Sequence, residues 1–545
     1  MTTPPTRRVP VVIVGAGPTG VTAATLLAQY GVDCLVLDRW PGVYPQPRAV
    51  HLDDEIYRII ARLGLADEFA GISRPTLGLR LVDNRLRTLA EFNRDPGHNV
   101  HGFPPANMFD QPELETLLRT NLERHPYAEL RGNSEVTDVV TGGTGIQVTF
   151  TDRCDGGLHR VDTDYVLGCD GANSLVRAGI GATMRDLNFQ QRWLVVDVAT
   201  DADLGQWDGV HQLCDPIRAG TYMRIGPARY RWEFQLLDGE TADDFGTLDR
   251  LQPLIRPWTS TVPLGELTVV RVAEYTFRAQ IADRWRRGNV FILGDAAHLT
   301  PPFIGQGMGA GLRDAANLAW KIAGVHHGTL APGVLETYER ERKPHTRSMI
   351  RLALSVGWAM TGGGRVGSAA RRALLPRLRL IPGLRDKVVD SSTPPLHRSA
   401  LVRTSLAPRR LGGSLCPNAP LGEGRRLDDV LGTGFALIST ARPGAADEAA
   451  LRRRNVAVLV AEAGGPLATW LHRGHANGAV VRPDRTVARA GRDVAALCAW
   501  TAAVVSPGVD QEDAGGRATI TGTRTECRTA LLTDPNSRPV KPPRP

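Results

Sequence analysis

Val11 to Val14 form a continuous apolar, β-branched run, the pattern of a strand buried on both faces of a parallel sheet. Thr22 to Tyr30 is rich in Ala and Leu and reads as a helix, with Gly31 where such a helix ends. Cys34 to Leu37 is a second buried strand closing at Asp38, so the first forty residues read as one βαβ unit. From about Phe189 to Phe277 the texture changes. WLVVDVAT, TYMRI and YRWEFQLL alternate in part and are separated by turn residues, which predicts an inserted, mostly antiparallel sheet. At Asn289 the buried parallel pattern returns as NVFILGDAAH and leads into a helical stretch, Leu312 to Val325. Residues 355–412 are rich in Arg, Gly and Pro and read as a connector with a solvated basic helix interrupted by prolines. From Gly413 the runs FALIST, VAVLVAE and GAVVRPDRTVARAG predict a further α/β unit.

Composition narrows the class without naming a function. A chain of 545 residues has room for about three to four domains. Its 42% hydrophobic and 22% charged residues are ordinary for a globular protein. No apolar run approaches the roughly 18 residues a membrane-spanning helix needs, and no signal peptide pattern opens the chain. A cytoplasmic protein without stable membrane association is the expectation. The net charge of +8 invites a nucleic-acid reading. Lysines are confined to Lys321, Lys343, Lys387 and Lys541, while arginine is spread over the whole chain, so no nucleic-acid partner is expected. The seven cysteines are scattered without a CxxC, which argues against a zinc site or a redox dithiol; no metal is expected.

The chemistry begins at Gly15-Ala16-Gly17-Pro18-Thr19-Gly20, a GxGxxG that follows a strand and opens a helix. Such glycines let backbone N–H groups reach a pyrophosphate at the helix N-terminus. Asp38 lies 18 residues past Gly20, where a carboxylate can accept from a ribose diol. This pattern predicts dinucleotide binding but does not choose between NAD and FAD. Two later segments bear on the choice: Gly168-Cys169-Asp170-Gly171-Ala172-Asn173-Ser174 with Arg177, and Gly294-Asp295-Ala296-Ala297-His298 followed by Pro301-Pro302, Gly305-Gln306-Gly307 and Gly311-Leu312-Arg313-Asp314-Ala315.

Together the three segments, in this order, resemble the fingerprints of the class A flavoprotein monooxygenases, the para-hydroxybenzoate hydroxylase family. The resemblance implies an α/β fold: a Rossmann-like FAD-binding domain (1–188 and 278–355), an inserted antiparallel β-sheet substrate domain (189–277), a helical connector (356–412) and a C-terminal thioredoxin-like α/β domain (413–545) without the redox cysteines. It implies FAD and NAD(P)H as cofactors, and a phenolic substrate and O2 as reaction partners. In the family, NAD(P)H reduces the flavin, and reduced flavin captures O2 as a C4a-hydroperoxide that attacks the phenol ring. QRWLVVDV, CDPIR, RWEFQLLDGET and LETYERERKPH are similar to the subgroup acting on hydroxyphenylpropanoids, such as 3-(3-hydroxyphenyl)propionate and 3-hydroxycinnamate. Tailoring hydroxylases of polycyclic aromatic polyketides share the fingerprints and stand as the alternative. A homodimer is left open.

By the same resemblance, Gly15, Gly17, Gly20 and Asp38 would hold the nucleotide end, and Arg48, Gln111, Asp170, Asp295, Pro301, Gly305, Gly307 and Met308 would contact FAD or its loops. Asp170 with Arg177 suits either a cofactor motif or a plain ion pair. Arg39 could stack on the adenine or lie solvated at the surface. His51, just after the PRAV turn, is a candidate base or a structural histidine. Asp53 and Asp54 suit the opening of a helix. Arg218 is the first choice to meet a substrate carboxylate. Tyr222 and Tyr230 could bond or stack on the ring, or pack in a core. His298 reads as structural.

Overall fold

The computed structural model describes residues 7–361 except 47, 96, 98, 99, 144 and 216, then 393–404 and 411–507. β1 (Arg7–Val14), α1 (Pro18–Gln29) and β2 (Cys34–Leu37) form the expected βαβ unit, with β1 and β2 parallel. Val11, Val12 and Ile13 are wholly buried, as a central parallel strand requires. β1 also pairs in parallel with Leu158–Gly168, which in turn pairs in parallel with Val290–Ile292. The three segments carrying glycine-rich motifs therefore enter one sheet side by side, each ending at the same edge.

A second, eight-stranded sheet runs His298–Leu299, Thr268–Ala282, Met184–Ala199, Arg229–Gln235, Gly220–Arg224, Val210–Leu213, Gly78–Val82 and Thr88–Asn93. This corrects the sequence expectation in two ways. The sheet reaches beyond 189–277 at both ends, and it recruits the hairpin 78–93 from the first segment of the chain. Val210–Leu213 pairs with Gly78–Val82 in parallel, so the sheet is antiparallel only in part. Its strand Arg229–Gln235 alternates strictly. Tyr230, Trp232 and Phe234 face the helix Leu248–Thr259 and share a core with Tyr222, Ile255 and Trp258. Arg229, Arg231, Glu233 and Gln235 face the other way, towards the first sheet's loops.

Among the described residues of the C-terminal unit, a four-stranded sheet orders as Ala457–Val460, Ala436–Ser439, Gly478–Val481 and Val487–Gly491. The first two are parallel and the rest antiparallel. This unit does not stand apart. Trp320, Leu330 and Val334 pack in one cluster with Phe435, Leu437, Val480 and Leu497. Lys321 donates to Glu341 at 2.8 Å, and Arg482 donates to the same carboxylate at 2.9 Å, all fully buried. Burial brings the Lys321 amine down to about 8, with Glu341 opposing. The connector expected over 356–412 falls largely on 362–392 and 405–410, outside the described residues, as do 508–545; helix Thr337–Thr361 runs past the expected boundary at 355.

A second clamp joins the unit to α2 (Asp54–Arg62). Arg58 grips Asp428 bidentately at 2.6 and 2.8 Å, and Arg485 donates to it at 2.7 Å. Burial alone would raise the Asp428 carboxyl; the two guanidinium groups outweigh it and hold it well below the usual range. A depressed folded pKa contributes stability above the unfolded pKa, roughly 3.9, and loses it as pH falls. Asp428→Asn, which strands two buried guanidinium groups, should cost about 3–5 kcal/mol in denaturant unfolding at pH 7. The gap between variant and wild type should narrow below about pH 4.

Candidate active site

The first motif is shaped by contacts that only glycine permits. Gly15 has φ +101°, and a Cβ there would lie 2.4 Å from the Cys169 carbonyl. A Cβ on Gly20 would lie 2.0 Å from the Gly15 carbonyl. Gly17 differs: nothing lies within 4 Å of where its Cβ would be, and no side chain caps the N-terminus of α1. The loop therefore leaves space and free N–H donors together, a cradle for a phosphate. Asp38 accepts from the backbone N–H of Ala16 at 2.6 Å and of Trp40 at 2.8 Å, which fixes its carboxylate beside that cradle. Arg39 is exposed and lies over the Trp40 ring at 5.3 Å.

The other two segments close on the first. Gly294 and Gly311 both face Thr19, where an added Cβ would come within 2.8 and 2.2 Å of its Oγ1. Asp170 and Arg177 do not form the plain ion pair considered above. Asp170 accepts from Ser174 Oγ at 2.5 Å and Val176 N–H at 3.1 Å, while Arg177 donates to the carbonyls of Ala172 (2.8 Å) and Ala296 (3.1 Å). Arg177 thus ties the second segment to the third. Asp295 is exposed into the cleft, yet the protein around it raises its carboxyl, with His298 and Arg48 pulling the other way. His298 is structural, at 2.8 Å from Asp314.

The loop Pro301–Gly307 is locked from beneath. Gln306 Nε2 donates to Asp53 Oδ2 at 2.8 Å, Arg313 donates to the same oxygen at 2.6 Å, and Asp53 Oδ1 caps α2 by accepting from Ile56 N–H at 2.9 Å. Gly305, at φ +62°, presses on His51: an added Cβ would sit 2.6 Å from Nδ1. Gly307 opens the helix Gly307–His326 without a side-chain cap, leaving N–H donors at the cleft, and Met308 packs on the main core. Gln111 accepts from the backbone N–H groups of Arg48 (3.1 Å) and Ala49 (2.5 Å), so it positions the Arg48 turn. The Arg48 guanidinium is exposed 4.8 Å from the Tyr44 ring.

The substrate-side expectations fare differently. His51 stands in the cleft wall, 3.4 Å from Arg94. Burial and Arg94 bring its imidazole down to about 4, so it is neutral at pH 7 and able to accept a hydrogen bond. Tyr222 is corrected: it lies on the sheet face away from the motif loops, stacked on Trp258 and Tyr230 in the core, which is why it was apolar company rather than a site that selected it. Tyr230 shares that face. Arg218 is corrected too, because a bidentate pair with Glu240 at 2.8 and 2.5 Å and a bond to the Gln235 carbonyl already occupy its guanidinium. Sequence reasoning missed Arg231, which holds the Arg48 carbonyl at 3.0 Å, and the Asp53–Arg313 lock. Strand alternation in YRWEFQ was the available signal for Arg231.

An open phosphate cradle, an accessible carboxylate at Asp295 and an uncapped helix at Gly307 fit FAD, and fold and site together define an FAD-dependent monooxygenase. The sequence profile of the FAD binding domain family matches residues 8–353, and the chain belongs to that family. It is 34% identical over 532 residues to a 3-(3-hydroxy-phenyl)propionate/3-hydroxycinnamic acid hydroxylase of Burkholderia cenocepacia, covering 91% of this chain and 96% of the relative. A probable NADH-specific resorcinol 4-hydroxylase of Rhodococcus jostii is 35% identical over 65% of this chain and 66% of its own. Among solved structures, the flavin-dependent monooxygenase PieE, in complex with FAD and substrate, superposes with a TM-score of 0.76 at 25% identity, covering 91% of this chain and 99% of its own. Aklavinone-11 hydroxylase, with FAD and aklavinone, gives 0.74 at 25% identity, covering 92% and 99%. No helix among the described residues is long and apolar enough to cross a membrane.

Gly17→Ala should leave the fold intact, since its Cβ meets nothing, and weaken FAD binding about tenfold or more, roughly 1.4 kcal/mol. Gly20→Ala should instead lower the unfolding midpoint. Fluorescence titration with FAD beside circular-dichroism melts separates the two.

Proposed function

We propose that this FAD-dependent aromatic hydroxylase uses NAD(P)H and O2 to hydroxylate a phenol bearing a short carboxylate side chain, of the 3-(3-hydroxyphenyl)propionate or 3-hydroxycinnamate kind. The observation that carries the reading is convergence: three glycine-rich loops, far apart in sequence, meet at one cleft that faces the polar side of the eight-stranded sheet. Near-full-length similarity to hydroxyphenylpropionate hydroxylases supports the substrate class. A nicotinamide cofactor is supported by the NADH-specific relative. Bound FAD, once reduced, supplies the activated oxygen.

The chain's own residues do the rest. The cradle at Gly17 and the α1 terminus bind the pyrophosphate, and Asp38 and Asp295 orient the sugar and ribityl hydroxyls. Donors at Gly307 favour negative charge on the adjoining ring edge. Neutral His51 accepts a hydrogen bond in the cleft wall, and Arg94 beside it meets the substrate carboxylate. The strand order of residues 436–491 supports a thioredoxin-like reading of the C-terminal unit, and the first sheet supports a Rossmann-like flavin domain.

The test is NADH and NADPH consumption, scored by hydroxylated product, with carboxylate-bearing, neutral and polycyclic phenols. Carboxylate-bearing phenols should stimulate most. Stimulation by polycyclic phenols alone would transfer the reading to a tailoring hydroxylase, the reaction type that the aklavinone-binding neighbour brings forward. Arg94→Ala should raise KM for the carboxylate-bearing phenol about tenfold or more over its effect on a neutral one. Arg218→Ala should change both alike.

A further inference from the structure

The sheet face beneath the cleft is organised in transverse rows. The row Met223, Arg231, Asp197, Arg271 runs across four strands. In it Arg231 is bound bidentately by Asp197 at 2.7 and 2.9 Å and reaches up to the Arg48 carbonyl. Four residues along the strands, Trp193 and Tyr275, with Gln235 beside them, form a largely aromatic row. Trp193 there touches Phe303, a ring-centroid distance of 6.1 Å, and Phe303 precedes Gly305 by two residues. One row therefore supports the Arg48 turn and the other supports the Pro301–Gly307 loop.

Between them lies the row Gln212, Thr221, Glu233, Val195, Ala273. Its neighbours to Glu233 are short side chains, so the row is a trough between a charged bank and an aromatic one. Thr221 Oγ1 is turned aside, donating to Gln212 Oε1 at 3.1 Å. Glu233 is the one carboxylate in this row. Its nearest cation, Arg231 at 3.9 Å, is already held by Asp197. Nothing in the binding of the nucleotide requires an acid at this place.

We propose that Glu233 is the acceptor for the ring hydroxyl of the phenolic substrate, and so fixes which ring carbon faces the cleft. This rests on the phenol-hydroxylase reading above. The O–H proton passes to a Glu233 carboxylate oxygen, the pair left on the phenol oxygen moves into the ring, and a ring carbon bonds the outer oxygen of the activated O2 that reduced FAD would supply, whose O–O bond breaks to leave an oxygen anion on the cofactor side. The ring then gives its C–H proton to that anion as it regains aromaticity, the phenol oxygen takes back the proton from Glu233, and the carboxylate is restored. A positioned carboxylate within hydrogen-bond reach of the ring hydroxyl is an effective acceptor. Burial lifts the Glu233 carboxyl above the ordinary glutamate range, with Arg231 opposing and Asp197 adding. The other charged or titratable groups on this face are Arg271 and Tyr275 from the strand Thr268–Ala282, with Arg48 and Tyr44 beside Arg271.

The test uses FAD-loaded protein and 3-(3-hydroxyphenyl)propionate as probe. Glu233→Gln should lower kcat about a hundredfold or more. FAD affinity should hold, and the near-ultraviolet difference band of a hydrogen-bonded phenol, recorded without nicotinamide, should be lost. Glu233→Asp should restore part of both. Wild-type kcat/KM should rise with pH through one ionisation above the ordinary glutamate range, and Glu233→Gln should flatten that limb. Unchanged kcat and pH profile in Glu233→Gln would overturn the assignment, as would loss of FAD binding in step with activity. If the variants do not fold, a wild-type profile lacking that limb overturns it alone. Failure of wild type to respond to any phenol would strike the functional reading instead.

Discussion

One buried carboxylate holds the cleft together. Asp53 is wholly buried, caps α2 with one oxygen and takes Gln306 and Arg313 with the other. Burial would raise its carboxyl, and Arg313 outweighs that and keeps it ionised. A charge in this position is tolerable only when every lone pair is used. The result is that the strand bearing His51, the helix that follows it and the glycine-rich loop 250 residues later move as one piece. The loop can be rich in glycine, and so approach a flat ring closely, without being free to wander.

The eight-stranded sheet divides its labour by face. Away from the cleft, Tyr222, Tyr230, Trp232 and Phe234 bury against the helix Leu248–Thr259 and supply the apolar area that stabilises the domain. Towards the cleft, the same strands present Arg231, Asp197, Glu233 and Thr221. The aromatic face keeps the sheet rigid while the polar face remains committed to loops and to whatever lies above the trough.

The C-terminal unit is bound to the flavin region by more than packing. Lys321 sits on the helix that begins at Gly307, Glu341 on the following helix, and Arg482 in the C-terminal unit. This buried network satisfies every charge only when all three segments are in place. Removing the unit would uncover Arg482's partner and the Trp320 cluster at once.

What the chain's pattern determined by itself is local and repetitive. Apolar runs predicted β1 and β2, the spacing of Gly15, Gly17, Gly20 and Asp38 predicted a nucleotide cradle, and YRWEFQ alternates as a half-buried strand must. Such features depend on neighbours a few residues away, where backbone geometry is periodic. The choice of face is different. Alternation says that Tyr230 and Glu233 point oppositely, but not which of them meets the cleft, and the aromatic residues drew the functional reading to the wrong side. Likewise Arg218 looked free until Glu240, 22 residues on, folded back onto it. Only the tertiary structure decides these, because a side chain's role is set by which distant groups have already claimed its charge and its surface.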